Sequence, residues 1–112
     1  YQISRAGWTG DYPDPNTFLD MWTSWSQQNQ TGWADPKYDA LIRKAAITKD
    51  PNARLEVFQE AEEILMDQLP IIPIYIYTRV YALHPAVKNW HANVLDHHPW
   101  KHIDLDLSLL KK

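Results

Sequence analysis

Cysteine is absent from the 112 residues, which excludes a disulfide framework, a thiolate zinc site and a cysteine nucleophile together. The redox compartment stays open, because cysteine-free chains occur on both sides of a bacterial inner membrane. Three glycines leave little material for a phosphate-cradling loop. No apolar run approaches the ~20 residues of a membrane-spanning helix. Basic residues are outnumbered eleven to fourteen, and a net charge of −3 argues against a nucleic-acid surface built on electrostatics. No G-x-S-x-G elbow is present, so nothing indicates hydrolase chemistry. The opening Tyr1-Gln2-Ile3-Ser4-Arg5 carries neither an initiator Met nor a charged-then-apolar leader. Gln2 to Ala6 reads as an extended segment that starts without a cap, so the expectation is a chain that begins mid-protein.

What is present suits one domain with a real core: 45% hydrophobic and 22% charged residues, close to the soluble globular average. Six tryptophans and six tyrosines stand out, and such amphipathic rings gather in cores and binding clefts alike. Residues 7–33 read as loop, punctuated by Gly7, Gly10, Pro13 and Pro15, with one short helical turn over Thr17 to Trp22. Ser24 to Thr31 is polar and expected to face solvent. Asp35-Pro36 is a helix start, an N-cap carboxylate followed by proline at the first helical position. Tyr38, Leu41, Ile42, Ala45 and Ala46 then fall on one face. The signal recurs at Asp50-Pro51, with Leu55, Phe58, Ala61 and Leu65 on one side as far as about Gln68, where Pro70 stops the helix. Ile71 to Tyr77 is a β-branched and aromatic run that predicts a buried strand, and Arg79 to Leu83 a second. The alternation Ile103-Asp104-Leu105-Asp106-Leu107 predicts a half-buried terminal strand, with Lys111-Lys112 as a frayed end. Helices flanked by strands make an α/β or α+β piece.

Five histidines, His84, His91, His97, His98 and His102, raise a metal reading. His98 and His102 have the i, i+4 spacing of a helical ligand pair, but Pro99 pushes His98 out of helical geometry, and surface or hydrogen-bonded imidazoles are the simpler account. Asp104 and Asp106 share one strand face and could pair as acid and base; a solvated face explains them more simply, as it does Glu60, Glu62, Glu63 and Asp67. The remaining stretch, Arg5-Ala6-Gly7-Trp8-Thr9-Gly10-Asp11-Tyr12, joins a cation, an anion and two aromatics in a Gly-punctuated loop. In the plain reading Asp11 and Asp14 cap turns ahead of Pro13 and Pro15, and Trp8 is a core residue. In the functional reading the loop clamps a ligand: a carboxylate beside an aromatic wall pairs with an ammonium group, and Gly10 lets the backbone come close.

R-A-G-W-T-G-D-Y-P-D-P-N-T-F-L at Arg5–Leu19, D-P-K-Y-D-A-L-I at Asp35–Ile42, A-E-E-I-L at Ala61–Leu65 and P-I-I-P-I-Y-I-Y at Pro70–Tyr77 occur in this order. Together they resemble the C-terminal part of the extracytoplasmic oligopeptide-binding proteins of ABC importers, solute-binding protein family 5. The resemblance covers nearly the whole chain. It implies a single C-terminal segment, 1–112, of a two-lobed type II periplasmic-binding-protein fold, α/β in class, with two main helices packed on strands. It also implies a binding protein rather than an enzyme, with no cofactor and no metal, held in the periplasm or outside the cytoplasm and membrane-associated only through the transporter or a lipid anchor outside this segment. Its partners would be an oligopeptide and the permease subunits. Carried over by residue, Asp11 pairs with the peptide's α-ammonium, the Thr9 backbone meets the ligand's main chain and Trp8 walls a side-chain pocket. Gly10 keeps the loop close, Arg5 meets the carboxylate of short peptides, and Tyr77 is the ligand-facing tyrosine of the P-x-x-P-x-Y run. Two other readings stay open at this point: a metal or metal-chelate binder of the same superfamily using the histidines, and a stand-alone interaction domain whose Trp-rich loop binds a protein.

Overall fold

The computed structural model describes residues 2–110, and the expectations for the first residue and for Lys111-Lys112 lie outside them. The chain divides into two compact units, one ending at Ile74 and the other beginning at Tyr75.

The first unit is helical. A short helix α1 (Asn16–Leu19) runs into a 3₁₀ turn over Asp20–Trp22, followed by α2 (Pro36–Ile47) and α3 (Pro51–Gln68). Both long helices begin where the Asp-Pro pairs predict. The Asp35 carboxylate accepts from the amides of Lys37 and Tyr38 at 2.7 and 2.9 Å, and Asp50 accepts from Ala53 at 2.8 Å. Each satisfies amides that the first helical turn leaves without partners. The amide of Tyr38, then the Gln68 side chain, hold the Asp35 carboxyl below its usual range. Helix α3 ends at Leu69, whose left-handed conformation (φ 47°) turns the chain into Pro70 while its amide still closes on Leu65.

The helices bury their apolar stripes against each other, in a core of Leu19, Tyr38, Leu41, Ile42, Ala45, Val57, Phe58, Ala61 and Leu65. Tyr38 is fully buried and donates its hydroxyl to the Leu19 carbonyl at 2.6 Å, which ties α1 to α2. The stripe of α3 differs from expectation at one position. Val57 is buried, whereas Leu55 is 52% exposed. At 100° per residue Val57 lies one step from Phe58 and one turn before Ala61, while Leu55 falls on the flank.

Ser24 to Thr31 is largely exposed, as expected, and is anchored at both ends by hydrogen bonds. Asn29 donates to the carbonyls of Trp22, Thr23 and Trp33 at 3.1, 3.3 and 2.9 Å and accepts from Thr31, so one amide side chain closes the loop. The buried Asp39 accepts from the amide and hydroxyl of Ser24 at 3.0 and 2.5 Å, fastening the loop to α2. At the other end of α3, Gln68 accepts from the Trp33 indole and donates to Asp35 at 2.7 and 2.6 Å.

The expected strands fare differently. Gln2 to Ala6, Ile71 to Tyr77 and Arg79 to Leu83 form no ladder, and Ile72, Ile74, Ile76 and Val80 are 74%, 84%, 92% and 95% exposed. A β-branched run makes a strand only when a neighbouring strand takes its amides and carbonyls, and none of the described residues does so here. In the second unit, β1 (Val87–Lys88) pairs antiparallel with β2 (Asp104–Leu105), Val87 opposite Leu105 and Lys88 opposite Asp104. The terminal strand is therefore two residues long, not five, and both are exposed. Its end has a local cause: Asp106 accepts from the amide and hydroxyl of Ser108 at 3.1 and 2.6 Å and turns the chain into a 3₁₀ segment, Leu107–Leu110. The molecule is thus mixed in class, but its two main helices pack on one another, and the one sheet among the described residues is a two-strand ladder in the second unit.

Candidate ligand-binding site

The loop carrying the predicted clamp sits on α1. Thr17, 2% exposed, accepts the Asp11 amide on its hydroxyl at 3.1 Å. Gly10 lies against the same helix: a Cβ there would come within 2.9 Å of Phe18 Cζ and 3.1 Å of Thr17 Cγ2. The smallness of residue 10 is therefore used on the inner side of the loop, against α1, and not only toward a ligand. Trp8 is 37% exposed, which removes the plain reading of it as a core residue. Arg5 and Thr9 are exposed. Tyr77 belongs to the second unit, 64% exposed, with its ring 4.6 Å from that of Tyr75.

Two aspartates that look alike in sequence have separate roles. Asp14 accepts from the Asn16 amide at 2.9 Å, as the turn-capping reading expects, and also receives both terminal nitrogens of Arg54, at 2.5 and 2.9 Å. The Arg54 hydrogen bonds hold its carboxyl below the ordinary range. Asp11 caps nothing: its carboxylate is exposed and makes no hydrogen bond or ion pair among the described residues.

Asp20 lies near enough to Asp11 to feel its charge. Burial pushes the Asp20 carboxyl up, the Asn16 side chain at 2.8 Å pulls it down, and the Asp11 charge pushes it up again. The Asn16 amide also donates to the Tyr12 hydroxyl at 3.0 Å, so Tyr12, Asn16 and Asp20 form a hydrogen-bonded string along α1. A pair of carboxylates sharing a local potential favours a cation that settles between or beside them. The sequence reading missed Thr17, Phe18, Asp20 and Arg54. For the first three the only signal was proximity to the loop, and for Arg54, 40 residues from Asp14, there was none.

The histidines do not assemble a metal centre. His98 stacks on Trp90 at 3.7 Å and 16°, and its Nε2 meets Asp96 at 2.9 Å; the other Asp96 oxygen receives Arg79 at 3.1 Å. His84 accepts from the Ala86 amide. Four of the five imidazoles, His91, His97, His98 and His102, line one cavity of about 430 Å³. Among the described residues no group of three or more His, Asp or Glu is arranged to hold an ion. Asp104 and Asp106 each use Oδ1 locally, Asp104 on the Leu105 amide and Asp106 on the Ser108 amide and hydroxyl.

No family model matches the chain. Individual relatives do. The dipeptide-binding protein DppE of Bacillus subtilis is 36% identical over 105 residues, which are 94% of this chain and 18% of the relative. Over this stretch the chain is similar to proteins of solute-binding protein family 5. The oligopeptide-binding protein OppA of Bacillus subtilis is 39% identical over 83 residues, 73% of this chain and 15% of its own length. The periplasmic murein peptide-binding protein MppA of Escherichia coli is 38% identical over 93 residues, 83% and 17% respectively. The chain therefore spans less than a fifth of the length of these family 5 relatives, all three of which are named as binding proteins. Among the described residues no helix is long and apolar enough to cross a membrane.

Proposed function

We propose that this chain supplies the ammonium-binding end of the cleft in an extracytoplasmic peptide-binding protein that delivers oligopeptides to an ABC permease. The observation that carries the reading is the Asp11 carboxylate: exposed, unpaired among the described residues, and set on a loop whose backbone is fastened to α1. A protein that accepts many peptides should bind what they share, their termini and main chain. In this reading Asp11 takes the α-ammonium, helped by the potential of Asp20, and the Thr9 and Gly10 backbone meets the ligand's main chain. Trp8 walls a side-chain pocket whose waters adapt to different residues. Arg5 answers the ligand's carboxylate, and Tyr77 is read as the ligand-facing tyrosine of the P-x-x-P-x-Y run. The names of the three relatives, dipeptide-, oligopeptide- and murein peptide-binding, support the same ligand class.

The segment is C-terminal in a two-lobed protein, and the remaining lobe surface completes the cleft and closes over the ligand by a hinge. Breaking a buried, hydrogen-bonded ion pair costs ~3–5 kcal/mol, so Asp11→Ala in the full-length protein is expected to weaken a free-amine peptide by about two to three orders of magnitude. Calorimetry with trialanine measures this. An unchanged affinity rejects the anchor.

A further inference from the structure

The contacts that shape the Asp11 loop are mostly local. The Asp11 amide reaches Thr17 Oγ1 at 3.1 Å, the Thr17 amide reaches the Asp14 carbonyl at 3.2 Å, and the Asn16 amide reaches Asp14 Oδ1 at 2.9 Å. They make residues 11–18 a single small body without fixing it to the long helices. At its far end that body is attached through Leu19, which is in the core and takes the Tyr38 hydroxyl. Held there alone, it could pivot. Its near end, three residues from Asp11, is attached by the Asp14–Arg54 fork, with Nη1 to Oδ2 at 2.5 Å and Nη2 to Oδ1 at 2.9 Å.

The guanidinium is itself held before it reaches Asp14. Its Nε donates to the Ala45 carbonyl at 3.2 Å, in the last turn of α2, and its carbon lies 4.6 Å from the centre of the Phe58 ring on α3. A planar fork restrained on two sides transmits the position of both helices to the loop, which an ammonium on a flexible stem cannot do. Both Asp14 oxygens are engaged within the fold, Oδ1 by Asn16 and Arg54 and Oδ2 by Arg54.

We infer that Arg54 is a positioning residue for ligand binding: by gripping Asp14 it fixes where the Asp11 carboxylate stands, an inference that rests on the ammonium-binding reading of Asp11. A residue that only supports the fold lowers affinity by the same factor whatever stands at position 11. A residue that acts through Asp11 loses its effect once that carboxylate is gone.

A double-mutant cycle in the full-length protein, read by trialanine calorimetry, separates the two. Arg54→Gln and Asp14→Asn are each expected to weaken trialanine about tenfold in the wild-type background and to change nothing further in the Asp11→Ala background. N-acetyl-trialanine, which has no ammonium, should bind both fork variants as it binds the parent. Asp14→Asn leaves the Ala45 and Phe58 contacts of Arg54 in place, so it decides the matter if Arg54→Gln does not fold. Equal losses in both backgrounds, or no loss in either, overturn the positioning role while Asp11 keeps its own. If Asp11→Ala alone leaves trialanine binding unchanged, the ammonium reading falls first and this inference falls with it.

Discussion

At the scale of single residues, the carboxylates around the loop respond to pH in opposite senses. Asp14 is held below its usual range by Arg54, so the stability it contributes is fully present above the unfolded pKa of about 3.9 and is lost as pH falls through the lower folded value. The stability gap between the parent and Asp14→Asn should therefore be constant at neutral pH and close in acid, as urea melts at stepped pH would record. Asp20 is pushed up by burial, so its favourable contribution exists below the unfolded pKa and disappears as pH rises through the folded one. Asp20→Asn should then be neutral or stabilising at pH 7 and bring no gain in acid; a clear loss at pH 7 would contradict the burial argument. Gly10→Ala places a methyl group 2.9 Å from a ring that is 48% exposed and able to swing. A penalty of about 1 kcal/mol, at the low end for overpacking, is expected, and it should shrink when Phe18→Ala is added, leaving the 3.1 Å approach to Thr17 Cγ2.

At the scale of elements, α2 and α3 were legible because their start signals are chemical and local. An aspartate followed by proline supplies an acceptor for early amides and a residue that needs none. The stripes were legible except at Ala46 on α2 and Leu55 on α3, both of which are exposed. Phe58→Ala is expected to cost about 3–5 kcal/mol and Leu55→Ala less than about 0.5, a difference that denaturant titration resolves easily. Tyr38→Phe should cost about 1–3 kcal/mol, because it strands the buried Leu19 carbonyl. The strands were not legible in the same way. Ile71 to Tyr77 has the composition of a strand, but composition only says that the residues fit a pleated surface, and pairing depends on another segment. The loop contacts of Asn29 and the Asp14–Arg54 fork were invisible for a related reason: each joins residues that only the finished fold brings together.

At the scale of the whole molecule, a segment less than a fifth the length of its family 5 relatives exposes an apolar run at Ile72, Ile74 and Ile76. In the full-length protein these amides are expected to be paired and slow to exchange with deuterium, and fast exchange would leave the run without a ladder there too. The central claim concerns the Asp11 carboxylate, and the crystal structure of the full-length protein with bound trialanine tests it most directly. The ligand's terminal nitrogen should lie about 3 Å from an Asp11 oxygen. A ligand ammonium satisfied elsewhere, with Asp11 turned to bulk water or engaged in an internal contact, would contradict the account.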